Sequence, residues 1–199
     1  MFRDKKDIET TLDALGEQLE ILKGEPVELM VCGGSALIAL GLAKRTTRDV
    51  DILARINRTN LGEITFVKAR PLSAELIAAS KKVARDFNLP EDWINIGPTS
   101  AVEFGLPDGI MERVATRQYG PKLIMHFLGR YDQIHFKLYA AVDLGAGKHY
   151  DDLLAMSPTA EELEQAARWS MTHDESEGYR SVLKDLLKHM GFSHVAERL

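Results

Sequence analysis

Gly33, Gly34 and Ser35 close one short apolar run, and Asp49 and Asp51 stand one residue apart at the start of the next, within MVCGGSALIALGLAKRTTRDVDIL, residues 30–53. Neither feature is needed to build a fold. Glycine lets backbone come close to a ligand and take angles closed to other residues. A helix starting directly after such a turn offers free N–H groups and a dipole that favour an anion such as a phosphate. The Ser35 hydroxyl would add a donor. Carboxylates at positions i and i+2 of a strand share one face, where they repel each other unless a cation neutralises them. Hard oxygen ligands suit magnesium or manganese rather than zinc. Between the two features runs AKRTTR (43–48), whose Arg45 and Arg48 could meet phosphate. The plainer alternatives are a purely structural turn, a solvated strand edge and two solvated arginines.

The surrounding elements must position these residues. Ile8, Leu12, Leu15, Leu19 and Leu22 recur at helical spacing over 5–23, which predicts an amphipathic first helix. GEP (24–26) breaks it, and VELMVC (27–32) reads as a short buried strand. SALIALGLA (35–43) then reads as a helix with Ser35 at its N-cap. RDVDILARI (48–56) alternates and is rich in branched residues, so it predicts a strand, and SAELIAASKKVARDF (73–87) a second amphipathic helix capped by Ser73. Residues 88–109 read as a structured loop, KLIMHFLG (122–129) as a strand and 131–145 as a helix. TAEELEQAARWSM (159–171) and ESEGYRSVLKDLLKHMG (175–191) carry capping residues and apolar stripes. The expected fold is α/β (α+β): a small mixed sheet in an α/β domain over 1–129, followed by a helical domain, 130–199, packed against it.

Composition narrows the function classes. The 199 residues are 45% hydrophobic and 28% charged, near globular averages, so disorder is not expected. A net charge of -5 argues against bulk, salt-driven nucleic-acid binding, which needs a basic footprint. No apolar run approaches a membrane span, and the start MFRDKKDIET lacks the apolar core of a signal peptide. Cys32 is the single cysteine, so no disulfide framework is expected and a reducing cytoplasm is the natural compartment. Six histidines form no zinc-ligand spacing. GAGKHYDD lacks the hydroxyl residue and glycine spacing of a P-loop, and Ser35 lacks the glycine two residues on that a nucleophile elbow requires.

The segment GGSALIALGLAKRTTRDVDIL resembles the nucleotidyltransferase signature of the polymerase-β-like superfamily, in which Gly-Gly or Gly-Ser precedes an Asp-x-Asp pair. More narrowly it is similar to minimal bacterial nucleotidyltransferase-like proteins, including those related to abortive-infection (type IV toxin–antitoxin) toxins. In those groups a helix lysine and a later aspartate follow, and FKLYAAVDLGAGKHYDDLLAM offers Lys137 and Asp152 at the matching places. LPEDWIN (89–95) also resembles a segment of the uncharacterised group. The resemblance implies a nucleotidyltransferase-like sheet topology, with Gly33, Gly34 and Ser35 holding a triphosphate and Asp49 and Asp51 holding Mg2+ or Mn2+. Lys137 would then neutralise phosphate charge. It implies transfer of a nucleoside monophosphate from a nucleoside triphosphate to an acceptor: RNA, protein or small molecule. Enzymes of this kind place a third carboxylate on a neighbouring strand, whereas KLIMHFLG offers His126, and Glu103 is the nearby acid. A second reading follows: a catalytically inactive nucleotide-binding or interaction protein, such as a toxin–antitoxin component with a cognate toxin or antitoxin partner.

Overall fold

The computed structural model describes residues 1–59, 61–145 and 147–199. The fold is mixed α/β with a helical C-terminal part. It divides into two compact units, one of 1–103 with 114–129 and one of 104–113 with 130–199. The expected division between 129 and 130 thus has one exception, because 104–113 belongs with the helices.

The first unit is built on a six-stranded sheet. Its strands are β1 (Val27–Cys32), β2 (Val50–Arg58), β3 (Ile64–Val67), β4 (Ile94–Asn95), β5 (Ala115–Tyr119) and β6 (Leu123–Phe127). They run in the order β3-β2-β1-β6-β5, with β4 pairing β2 off this path. β1 is parallel to β6 and β2 to β4, and the other pairs are antiparallel. Three helices, α1 (Lys5–Ile21), α2 (Gly33–Ala39) and α3 (Ala74–Asp86), contribute to one core with the sheet.

The core follows from the apolar spacing. Ile8, Leu12, Leu15 and Leu19 of α1 are buried against Leu29, Val31, Val50, Ile52, Leu123, Met125 and Phe127. The ends of α1 and α3 are fixed by their caps: Asp4 accepts from the Asp7 N–H at 2.9 Å and Ser73 from the Leu76 N–H at 3.1 Å. Trp93 is wholly buried and donates its indole N–H to the Ser80 carbonyl at 3.0 Å. That anchor pins the segment carrying β4 onto α3. The Val50 N–H, donating to the Trp93 carbonyl at 2.6 Å, ties the same segment to β2. Residues 88–109, expected as loop, therefore hold β4 and a 3-10 segment, Gly97–Phe104.

The second unit consists of α4 (Arg130–Leu144), α5 (Lys148–Ala155), α6 (Ala160–His173), α7 (Glu177–His189), α8 (Ser193–Arg198) and the segment 104–113. Thr159 and Glu162 cap α6 reciprocally, and Ser176 caps α7. Leu138, Leu153, Leu163, Leu183, Leu187 and Val195 are fully buried. Segment 104–113 is strapped on by polar contacts: the Gly105 carbonyl accepts from the Trp169 indole at 3.3 Å and lies 2.9 Å from His173 Nε2. Arg113 forks onto the buried Asp132 carboxylate at 2.7 and 3.0 Å. None of the helices among the described residues is long and apolar enough to cross a membrane.

Candidate functional site

Strand register brings the two halves of the opening stretch together. Cys32, the last residue of β1, pairs with Asp51 of β2. The next residue, Gly33, therefore falls beside the Asp51 side chain. The pairing shifts register between Met30 and Val31, a bulge that bends the strand just before this point. Val50 and Ile52 point into the helix-covered core, so alternation puts Asp51 on the opposite side of the sheet.

The fit at the turn is close. Gly33 has a φ of +71°, and a Cβ added there would overlap Asp51 Oδ2. A Cβ at Gly34 would lie 2.6 Å from Arg45 Nη2. Both glycines are thus required by what packs on them: a carboxylate on the first and a guanidinium on the second. Arg45 also donates to the Thr46 carbonyl at 3.0 Å. Of the expected phosphate-binding residues, Gly33, Gly34 and Arg45 are gathered at this turn, while Arg48 is exposed.

Asp49 and Asp51 are each half-buried, and a side-chain donor holds each. Thr47 Oγ1 donates to Asp49 Oδ1 at 2.9 Å, and Asn95 Nδ2 donates to Asp51 Oδ1 at 2.6 Å. Thr47 is itself fixed by a two-way backbone bridge to Phe2, with N···O distances of 2.8 and 3.0 Å. Asn95 is set opposite Asp51 by the β2–β4 pairing, and its Oδ1 accepts from the Gly97 N–H at 2.9 Å. Asp49 stands one residue before β2, since the strand begins at Val50 rather than at residue 48 as expected.

Ser35 departs from expectation. The N-cap of α2 is Cys32, because Gly33 turns the chain straight into the helix. Ser35 is the third helical residue and wholly buried, and its Oγ has no hydrogen-bond partner among the described residues. In this conformation its hydroxyl is not presented to a ligand, and the turn's donors are backbone groups.

The structure brings Lys137 and Asp152 to each other within the helical unit. Lys137 of α4 meets Asp152 of α5 at 2.7 Å, with side chains 4% and 2% exposed. Such a buried pair compensates each charge in a low-dielectric setting. Asp152 is the fifth residue of α5.

The acids and bases expected near the pair are engaged elsewhere. His126 of β6 bonds through Nδ1 to Thr116 Oγ1 of β5 at 2.8 Å and through Nε2 to Glu28 of β1 at 3.0 Å. Glu28 is also gripped by Arg58 of β2 at 2.8 Å, forming a polar row across four strands. Burial works to raise the Glu28 carboxyl, but the Arg58 and His126 contacts prevail and hold it below its ordinary range. Glu103 forms an ion pair with Lys68.

The residues fit a hard cation bound in part. A half-buried carboxylate, Asp51, lodged against a glycine turn, with Asp49 two residues before it in the chain, matches the way magnesium takes one or two protein carboxylates and completes its shell with phosphate and water. No group of three or more His, Cys, Asp or Glu suited to a metal ion occurs among the described residues. No family model, curated protein or solved structure matches the chain.

Proposed function

We propose that the protein is a metal-dependent nucleotidyltransferase of the polymerase-β-like kind, moving a nucleoside monophosphate from a triphosphate to an acceptor hydroxyl in the cytoplasm. The observation that supports this reading is the lodging of Asp51, one of the two acids, against Gly33 of the Gly-Gly turn. Asp49 and Asp51 would hold Mg2+ or Mn2+. When bound, that ion supplies charge neutralisation at the α-phosphate and lowers the cost of deprotonating the attacking hydroxyl.

The chain's own residues bind and orient. Gly33 and Gly34, lacking side chains, let triphosphate oxygens approach backbone N–H groups. The Arg45 guanidinium lies over the same turn and would take non-bridging oxygens, placing positive charge where negative charge builds on the leaving pyrophosphate. Thr47 and Asn95 hold the two carboxylates in place. Lys137 and Asp152 enter this reading through the resemblance alone, since they satisfy each other.

The test is incubation of the protein with α-32P-labelled nucleoside triphosphates, Mg2+ and cell extract. The expected result is label in a macromolecule or small acceptor, abolished by Asp51→Asn. A second reading, an inactive nucleotide-binding protein such as a toxin–antitoxin component, is favoured by one observation: the residue paired with Asp51 is Asn95, an amide and not a third acid. Metal and nucleotide binding without transfer of label would select it.

A further inference from the structure

Asn95 is not among the residues that the resemblance assigns a role, yet its Nδ2 lies 2.6 Å from Asp51 Oδ1. Its amide orientation is fixed from the other side. The Gly97 N–H donates to Asn95 Oδ1 at 2.9 Å, which obliges the NH2 group to face Asp51. Its place is fixed as well, because β4 pairs with β2 at Val50↔Ile94 and Asp51↔Asn95. Two residues earlier, Trp93 anchors the segment in the core.

Ile94 and Trp93 provide the burial, and the side chain of Asn95 is spent on one carboxylate oxygen and one backbone N–H. A neutral donor there ties one oxygen of Asp51 and leaves its Oδ2 turned to the Gly33 cradle. A carboxylate at position 95 would instead repel Asp51 in the apo protein and supply a further oxygen ligand to a cation.

We propose that Asn95 is the positioning residue of the metal site: it sets the orientation of Asp51 toward the glycine turn and caps the protein's anionic ligands at two. This rests on the proposed cation binding by Asp49 and Asp51. Second-layer donors of this kind orient a ligand without touching the metal, and their loss weakens metal binding by about ten-fold or more.

The test is calorimetric titration of the full chain with Mn2+ alone, for the unaltered protein and for Asp51→Asn, Asn95→Ala and Asn95→Asp, alongside metal-free thermal melts. Asn95→Ala should bind Mn2+ about ten-fold more weakly. Asn95→Asp should melt lower without metal and bind Mn2+ more tightly than the unaltered chain, an opposite shift that a merely structural role does not produce. Should Asn95→Ala fail to fold, Asn95→Asp carries the test. Mn2+ affinities unchanged in both Asn95 variants, with binding lost in Asp51→Asn, overturn the role of Asn95 alone. Equal binding by Asp51→Asn and the unaltered chain, or none by either, overturns the metal reading and this inference with it.

Discussion

Gly33 and Gly34 sit side by side in sequence but face different neighbours, and their substitution should separate accordingly. Alanine at 33 would bring a Cβ into the Asp51 carboxylate and force a non-glycine residue to φ +71°. The strain alone is worth about 1–3 kcal/mol. The atoms nearest a Cβ at 34 belong to the end of the Arg45 side chain, the first at 2.6 Å, and a flexible guanidinium can move aside. Gly33→Ala is therefore expected to lower the chemical-denaturation midpoint clearly and to abolish Mn2+ binding. Gly34→Ala should cost less stability, keep Mn2+ binding and weaken nucleotide binding through the displaced arginine. Equal losses in both variants would show that the turn is structural throughout.

At the scale of elements, the helical unit offers two checks of its own electrostatics. Lys137 and Asp152 are buried as a pair between α4 and α5. Removing one partner breaks this buried ion pair, so Lys137→Met or Asp152→Leu should each destabilise by about 3–5 kcal/mol, whereas the double variant should recover most of it. Denaturant melts of the four proteins measure this directly. If either single variant instead keeps full stability while losing transfer activity, the pair belongs to the chemistry rather than to the helices.

His135 of α4 and His173 of α6 both contact the Trp169 ring. Burial pushes both imidazoles below their ordinary value, although each has a backbone carbonyl partner that favours the charged form. With the folded value depressed, the unfolded chain binds more protons just below the ordinary histidine pKa of about 6.5. Stability is then complete above that pH and falls as acid takes it toward the lower folded values. Trp169 fluorescence in a Trp93→Phe background should report a falling denaturation midpoint between about pH 6.5 and 5, and His135→Phe should flatten part of that slope. A midpoint that rises on acidification would contradict the assignment.

Which elements were legible in the sequence follows from burial. Helices α1, α3, α6 and α7 carry apolar stripes and capping residues, so spacing marks them well, and β1 and β6 are apolar runs in the middle of the sheet. β3 and β5 lie at its two edges, where one side of the ladder is open. Their residues, ITFV and ATRQY, mix polar and apolar types without a buried run, and neither was expected. β4 is two residues long, too short for any period to register. Yet β4 delivers Asn95 to Asp51, so the missed strand is the one that completes the site. Thr47 is hidden in the sequence for a similar reason: its partner Phe2 lies 45 residues away in the chain, and only the folded bridge shows the pairing. Ser35 failed differently. A serine after two glycines looks like a cap, but the positive φ of Gly33 starts the helix two residues earlier and turns the hydroxyl inward.

For the molecule as a whole, the account turns on whether the Gly33–Asp51 juncture binds metal and nucleotide together. Carboxylates gathered to hold a cation cost stability without it, so under the proposed metal site Asp51→Asn should melt at the same temperature as the unaltered chain or higher when no metal is present. Mn2+ that binds only the folded pair stabilises by about 2.7 kcal/mol at a hundred-fold excess over its dissociation constant, or roughly 5–10 °C for a chain of this size. The deciding measurement is a thermal melt of both proteins without additions, with Mn2+, and with Mn2+ plus a nucleoside triphosphate. A rise with Mn2+ is expected in the unaltered chain, a larger rise when nucleotide is added, and neither in Asp51→Asn; the same shifts in both proteins would overturn the metal site.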